Sequence, residues 1–302
     1  MLGNANVAEY VKYNEILGVP FDDGIALLTT VDLQKRAILN RNYVPDAIKR
    51  LSIYSGRIAI GIDWGGRGMS GTSLTKVCVV GMRSDSSIDI LFGAQLPKDA
   101  TSVDEAALIK YLYQMFKPEV IAHDNLGIGQ RAEEMLITSG IPSNLFAPME
   151  YAGETQGVIM KRRNIPGSTK VVFNVDKTRG LLHLVEAFKQ DKIFSFQMTE
   201  AYHANELMLD FTHIKAELRV FAHNVRSEMI LIQAEPNQSD DFVHAVHHAA
   251  NSLWFKYGWP DLSKQLTIVT PQDLANYVCS LQRSLDQVTI DALGLTNLEL
   301  AT

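Results

Sequence analysis

The chain has 302 residues, of which 46% are hydrophobic and 21% charged, with 20 Gly and 10 Pro; this profile of an ordinary globular chain with a sizeable core excludes collagen-like, coiled-coil and low-complexity architectures. With 34 acidic against 28 basic residues the formal charge is -6, which weighs against a protein whose main task is to coat nucleic acid, but not against an enzyme that touches it locally. The two cysteines, Cys78 and Cys279, are too far apart in sequence for a disulfide framework or a Cys-rich zinc module, and so fit a reducing compartment.

The start, MLGNANVAEYVKYNE, lacks a charged segment followed by an apolar one, and no apolar run approaches a bilayer span, so a cytoplasmic, unprocessed chain is expected. Residues 1–57 read as a lead-in or linker with turns at Gly18-Val19-Pro20 and Asp22-Asp23-Gly24 and a helix over 31–41. Three strands follow, IAIGID (58–63), LTKVCVVGM (74–82) and IDILFGAQL (88–96), joined by short connections as in an antiparallel meander. Gly65, Gly66, Gly68 and Gly71 separate the first two. A helix is predicted over 103–115, with Leu108, Leu112 and Met115 on one side and Asp104 and Glu105 in its first turn, where carboxylates suit the helix dipole.

EVIAHD (119–124) is a fourth strand, 130–138 a helix ending at Gly140, and 145–151 a fifth strand; this strand-helix-strand order demands parallel crossovers and makes the sheet mixed. The α/β domain extends over 58–258. Residues 152–178 look polar and loop-like, with Lys161, Arg162, Arg163 and Lys170. Helices are expected at 177–190 and 200–211, a short IFSF segment between them, a strand at 229–234, an amphipathic helix at 241–257, and a tail over 259–302.

Three acidic positions fall where a strand or helix end meets a loop. Asp63 ends the first strand, Asp124 ends the fourth, and Asp240-Asp241 opens the late helix. Functional groups in mixed α/β sheets gather outside the carboxyl ends of strands, and carboxylates there suit Mg²⁺ or Mn²⁺. On the late helix the apolar stripe Phe242, Val246, Ala249, Leu253 puts Asp241 on the flank of the buried face and Asp240 nearly opposite. Asp241 is therefore the expected metal ligand, and Asp240 a cap or a holder of metal-bound water. Each acid alone is also compatible with a turn or cap. His244, His247 and His248 form an HxxHH tract without the Cys or HExxH glutamate a zinc site would need, and read as surface or DNA-facing residues.

The segments GIDWGG (61–66), VIAHDNLGIG (120–129) and SDDFVHAVHHAANSLWF (239–255) resemble, in order and spacing, the nuclease domain of tailed-phage terminase large subunits. KYNEILGVPFDDG, ending at Gly24, is similar to the stretch that joins the packaging ATPase to the nuclease in that family. The resemblance implies a ribonuclease H-like fold and a metal-dependent endonuclease that cuts concatemeric viral double-stranded DNA during genome packaging, in the cytoplasm of the infected host. It implies two Mg²⁺ or Mn²⁺ ions, with Asp63 bridging both and Asp124 and Asp241 on either side. Lys161, Arg162, Arg163, Lys170 and Arg179 become candidates for phosphate contacts, and the ATPase motor, portal and small terminase subunit become candidate partners.

Two departures from the family pattern stand out. His244 replaces the second Asp of the family's DDxVDA segment, as an alternative metal ligand or as a weakening of the second site. No GxxxxGK[ST] loop occurs, so the motor is expected elsewhere, the chain being an excised fragment or half of a split system. Three rival readings remain: a sugar-kinase-like phosphate loop in GIDWGGRGMSGTS, which lacks its companion loops; a Holliday-junction resolvase-like nuclease; and a non-catalytic module that docks on motor or portal.

Overall fold

The computed structural model describes residues 25–65, 73–151, 158–165, 167, 170–220, 228–234 and 238–262. The turns before residue 25, Gly66, Gly68, Gly71 and the tail from 263 onward, with Cys279, lie outside them. Two compact units are formed. In the smaller, Ile25–Ala26 pairs antiparallel with Ile214–Val220, and Glu228–Ala234 completes a three-stranded sheet.

The larger unit carries an eight-stranded mixed sheet. Its strands are β1 (Ile58–Asp63), β2 (Lys76–Met82), β3 (Ile88–Gln95), β4 (Val120–Asp124), β5 (Phe146–Tyr151), β6 (Met160–Asn164), β7 (Val171–Val175) and β8 (Ile193–Ser195). They run in the order β6-β7-β5-β4-β1-β2-β3-β8. β1, β2 and β3 form the expected antiparallel meander, and β1, β4, β5 and β7 run parallel. With helices α1 (Thr30–Arg36), α2 (Val44–Ile48), α3 (Ser102–Phe116), α4 (Ile128–Thr138), α5 (Lys177–Lys189), α6 (Ala204–His213) and α7 (Asp241–Tyr257) around it, this is the ribonuclease H-like arrangement of a mixed sheet flanked by helices.

β1 is central, and its first five residues are buried, as a strand covered on both faces should be. One core combines Ile60 and Ile62 of β1 with Ile109, Leu112 and Phe116 of α3 and Ala132 and Leu136 of α4. On the opposite face α7 lies so close to β1 that a Cβ at Gly61 would collide with the Ala245 carbonyl and the Ala249 methyl. That contact fixes the height of α7 over the sheet. Both α1 and α3 start with a reciprocal cap, Thr29 with Asp32 and Thr101 with Asp104.

Several expectations are corrected. Residues 152–178 are not all loop, since β6 and β7 form an antiparallel hairpin at the sheet edge. β6 hides in the sequence because Lys161, Arg162, Arg163 and Asn164 are all exposed, the charged dressing that protects an edge strand. IFSF contains β8, parallel to β3. The helix expected over 31–41 stops at Arg36: the Arg36 guanidinium donates to Lys189 O at 2.8 Å, and Leu39 N donates to Ser195 O at 3.0 Å, drawing the chain off toward β8. Residues 28–57, read as a lead-in, belong to the larger unit and bury Leu39, Val44, Ala47 and Tyr54 in its main core. Among the described residues no helix is long and apolar enough to cross a membrane.

Candidate functional site

β1 and β4 are parallel neighbours whose last register pair is Ile62 with His123, so Asp63 and Asp124 follow side by side at the same carboxyl edge. Adjacent strands lie roughly 5 Å apart. α7, seated on β1, delivers Asp240 and Asp241 at its own N-terminus. Electrostatics ties the four together. The Asp63 carboxyl is pushed well above the usual carboxylate range, first by burial and then by the charges of Asp241, Asp240 and Asp124, while Lys177 at the start of α5 opposes the rise.

Each of the other three acids has its own holder. Asp124 Oδ1 accepts from Leu126 N at 2.9 Å; burial nevertheless leaves this carboxyl above its ordinary range. Asp241, 8% exposed, accepts from Ser73 Oγ at 3.2 Å, Leu74 N at 3.1 Å and Ser239 Oγ at 3.1 Å. Asp240 stands at the cap position of α7 without making a capping bond. Its Oδ2 instead accepts from His244 Nε2 at 3.0 Å. Burial would raise the Asp240 carboxyl, but the His244 bond and the Lys177 charge hold it below the ordinary range.

Behind these acids lies a buried ion pair. Lys76 Nζ donates to Asp210 Oδ2 at 2.6 Å and to Ser239 Oγ at 2.8 Å, and Asp210 Oδ2 also accepts from Phe242 N at 2.9 Å. The first turn of α7 is thereby pinned from below. Sequence reading missed Lys76, Asp210, Tyr151 and Lys177; the one available signal was a lysine opening the otherwise apolar run KVCVVGM.

The histidines are not on the surface, which corrects the expectation from the HxxHH tract. His247 and His248 are buried, and His244 is 7% exposed, because α7 is enclosed nearly all round from Asp241 to Trp254. Burial pushes the His247 and His248 imidazoles well below their ordinary range and keeps them neutral. The Tyr151 hydroxyl, at the end of β5, is hydrogen-bonded to His244 Nδ1 at 2.7 Å.

The basic candidates are spread over several elements. Lys161, Arg162 and Arg163 are exposed on β6, where Arg163 pairs with Glu150. Lys170 pairs with Glu133 at 2.9 Å, and Glu133 in turn bonds the buried His123 at 3.0 Å. Arg179 pairs with Asp176 at 3.4 Å in the first turn of α5. A groove of about 600 Å³, lined by residues including Arg162, Lys170, Glu133 and Phe146, contains none of the four acids.

In kind, the acid cluster fits a hard divalent cation: its donors are carboxylate oxygens, and the repulsion imposed on Asp63 is the cost such an ion relieves. In spacing, no three His, Cys, Asp or Glu side chains among the described residues are grouped tightly enough to hold one metal ion together.

No protein-family model matches the chain, and no curated protein sequence matches it significantly. Solved structures do. The nuclease domain of the large terminase subunit gp2 of bacterial virus Sf6 is 12% identical, with 75% of this chain and 98% of that one covered and a TM-score of 0.49. The human cytomegalovirus terminase nuclease domain is 14% identical, with 74% and 94% covered and a TM-score of 0.47. The large terminase of bacteriophage HK97 is 9% identical, with a TM-score of 0.48; 76% of this chain is covered but only 44% of that one. At these identities the likeness is one of fold.

Proposed function

We propose that the chain is a metal-dependent endonuclease that cuts concatemeric viral double-stranded DNA during genome packaging. The observation that carries this reading is the gathering of Asp63, Asp124, Asp240 and Asp241 at one edge of the sheet, where three like charges and burial bear on Asp63. A cluster so costly has a purpose when a cation completes it. Asp63, Asp124 and Asp241 would hold Mg²⁺ or Mn²⁺, as two ions, which supply Lewis acidity toward a phosphodiester and its attacking water.

The chain's own residues do the rest. Ser73, Leu74 and Ser239 orient the Asp241 carboxylate, and Lys76 with Asp210 keeps the turn that bears it in place. Lys161, Arg162 and Arg163 offer cations to the DNA backbone from the exposed β6, with Lys170 and Arg179 farther along the chain. Since the net charge is -6, the chain alone should hold duplex weakly and depend on an ATPase motor, with portal and small subunit, to keep DNA at the site. The host cytoplasm is the corresponding location.

Incubating the protein with plasmid and Mn²⁺, with EDTA and Asp63→Asn as controls, tests the reading: cleavage that persists in the variant removes the assigned site. The rival docking module with a vestigial cluster is separated by thermal shift, because Mn²⁺ stabilises a competent cluster by ligand linkage and leaves a vestigial one unchanged.

A further inference from the structure

The acid cluster is wired to the interior of α7 by a chain of hydrogen bonds with Asp240 at one end and Asn251 at the other. Asp240 sets the first link. A carboxylate only accepts, so the 3.0 Å contact requires the proton of His244 on Nε2. With that as the only proton on the ring, Nδ1 is bare and accepts from the Tyr151 hydroxyl at 2.7 Å. Having given its only proton, the Tyr151 oxygen accepts from His247 Nδ1 at 3.2 Å. That leaves His247 Nε2 bare, and it accepts from the Asn251 amide at 2.8 Å. The donors thus run one way, from Asn251 through His247, Tyr151 and His244 to Asp240.

We propose that Tyr151 is a positioning residue which, through His244, fixes the Asp240 carboxylate at the acid cluster, and that His244 is a link in this relay and not a metal ligand. Both ring nitrogens of His244 are already engaged. Turning Nε2 toward a cation would remove the proton that Asp240 accepts. It would also force the Tyr151–His244–His247 chain to reverse or break. Burial and the charges of Asp63, Asp124 and Asp240 push the Tyr151 phenol well above its ordinary range, so it keeps the proton it must donate.

Packing holds the relay rigid. The Tyr151 ring meets His244 edge-on with centroids 5.5 Å apart and lies 5.8 and 5.7 Å from the rings of His247 and His248. A Cβ on Gly180 of α5 would collide with His247 Nε2, so α5 presses its bare backbone against that ring. The Lys177 ammonium sits 5.4 Å from the Tyr151 ring centroid. Partners of this outer kind commonly change metal affinity by about 10–100-fold when removed.

As a statement about metal affinity the inference rests on the proposed cation site; as a statement about His244 it does not. The full chain, labelled with ¹⁵N-histidine, should show His244 protonated on Nε2, both without metal and with saturating Mg²⁺. In Tyr151→Phe, which keeps the ring, Asp240 should still hold the proton on Nε2, while the Nδ1 resonance, stripped of its hydroxyl partner, should move and the fold should stay intact by melting temperature. Titration calorimetry should then show Mn²⁺ affinity about 10-fold or more weaker in Tyr151→Phe. His244→Gln, whose amide still donates to Asp240, should bind within a few-fold of the native chain, and His244→Leu should not. A native His244 protonated on Nδ1, or a His244→Gln that loses Mn²⁺ as fully as His244→Leu, overturns the proposal. If the native chain takes up no Mn²⁺, the metal reading fails and the tautomer spectrum alone decides the relay.

Discussion

Lys76 on β2 and Asp210 on α6, 134 positions apart in sequence, form an ion pair of 2.6 Å with side chains only 4% and 3% exposed. Removing one partner of such a pair strands the other charge in the interior, at a cost of about 3–5 kcal/mol. Lys76→Met should therefore destabilise the protein by about that amount in denaturant titration. Lys76→Met with Asp210→Leu should recover much of the loss, while activity stays low because Ser239 and the first turn of α7 have lost their anchor.

Asp63 predicts a trade between stability and function. Its folded carboxyl lies well above the unfolded value, because of burial and then Asp241, Asp240 and Asp124. Stability from this group is thus full below the ordinary carboxylate range and is lost as pH rises toward and through the raised folded value. Asp63→Asn should abolish cleavage yet raise the melting temperature of the metal-free protein near neutral pH, by about 2–4 °C for each kcal/mol of repulsion relieved. Differential scanning of both proteins at acidic and neutral pH checks this, and saturating Mn²⁺ should shrink the difference.

Gly61→Ala tests how α7 is seated. The added methyl meets the Ala245 carbonyl and the Ala249 side chain, neither of which can swing away. Overpacking of this kind costs about 1–3 kcal/mol or more. Because the same contact sets the height of Asp241 over Asp63, Mn²⁺ binding and plasmid cleavage should fall further than the stability loss alone would produce.

The basic residues should not contribute equally to DNA binding. Arg162 is exposed on β6, whereas Arg163, Lys170 and Arg179 are paired with Glu150, Glu133 and Asp176. Arg162→Ala is expected to weaken duplex binding for all sequences alike and to lower the salt-dependence slope by about 1 in fluorescence anisotropy. Lys170→Ala should act mainly through Glu133 and the buried His123, and so appear first in the melting temperature.

The meander, β4, β5 and α7 could be read from the sequence because each is an apolar run, or a helical period, with a sharp polar end. β6 could not, since Met160 is its only buried residue. β8 has three residues, too few for any period to declare itself. The four acids could be singled out by their positions at element ends. Their holders could not: Lys76, Asp210 and Tyr151 act across long sequence separations that local patterns do not record. The histidines misled for a related reason. A polar face on a helix normally faces water, and only the packing of α5 and β5 onto α7 turns His247 and His248 inward.

Enclosure of α7 from Asp241 to Trp254 has a bearing on how the molecule breathes. A helix covered by its own sheet on one side and by α5 and α6 on the others offers no route for local opening, so its amides should exchange with deuterium only when the entire larger unit opens. Fraying cannot produce a form that keeps the sheet while loosening the helix that bears Asp240 and Asp241. Their carboxylates therefore take their places together with the core, and leave them only with it.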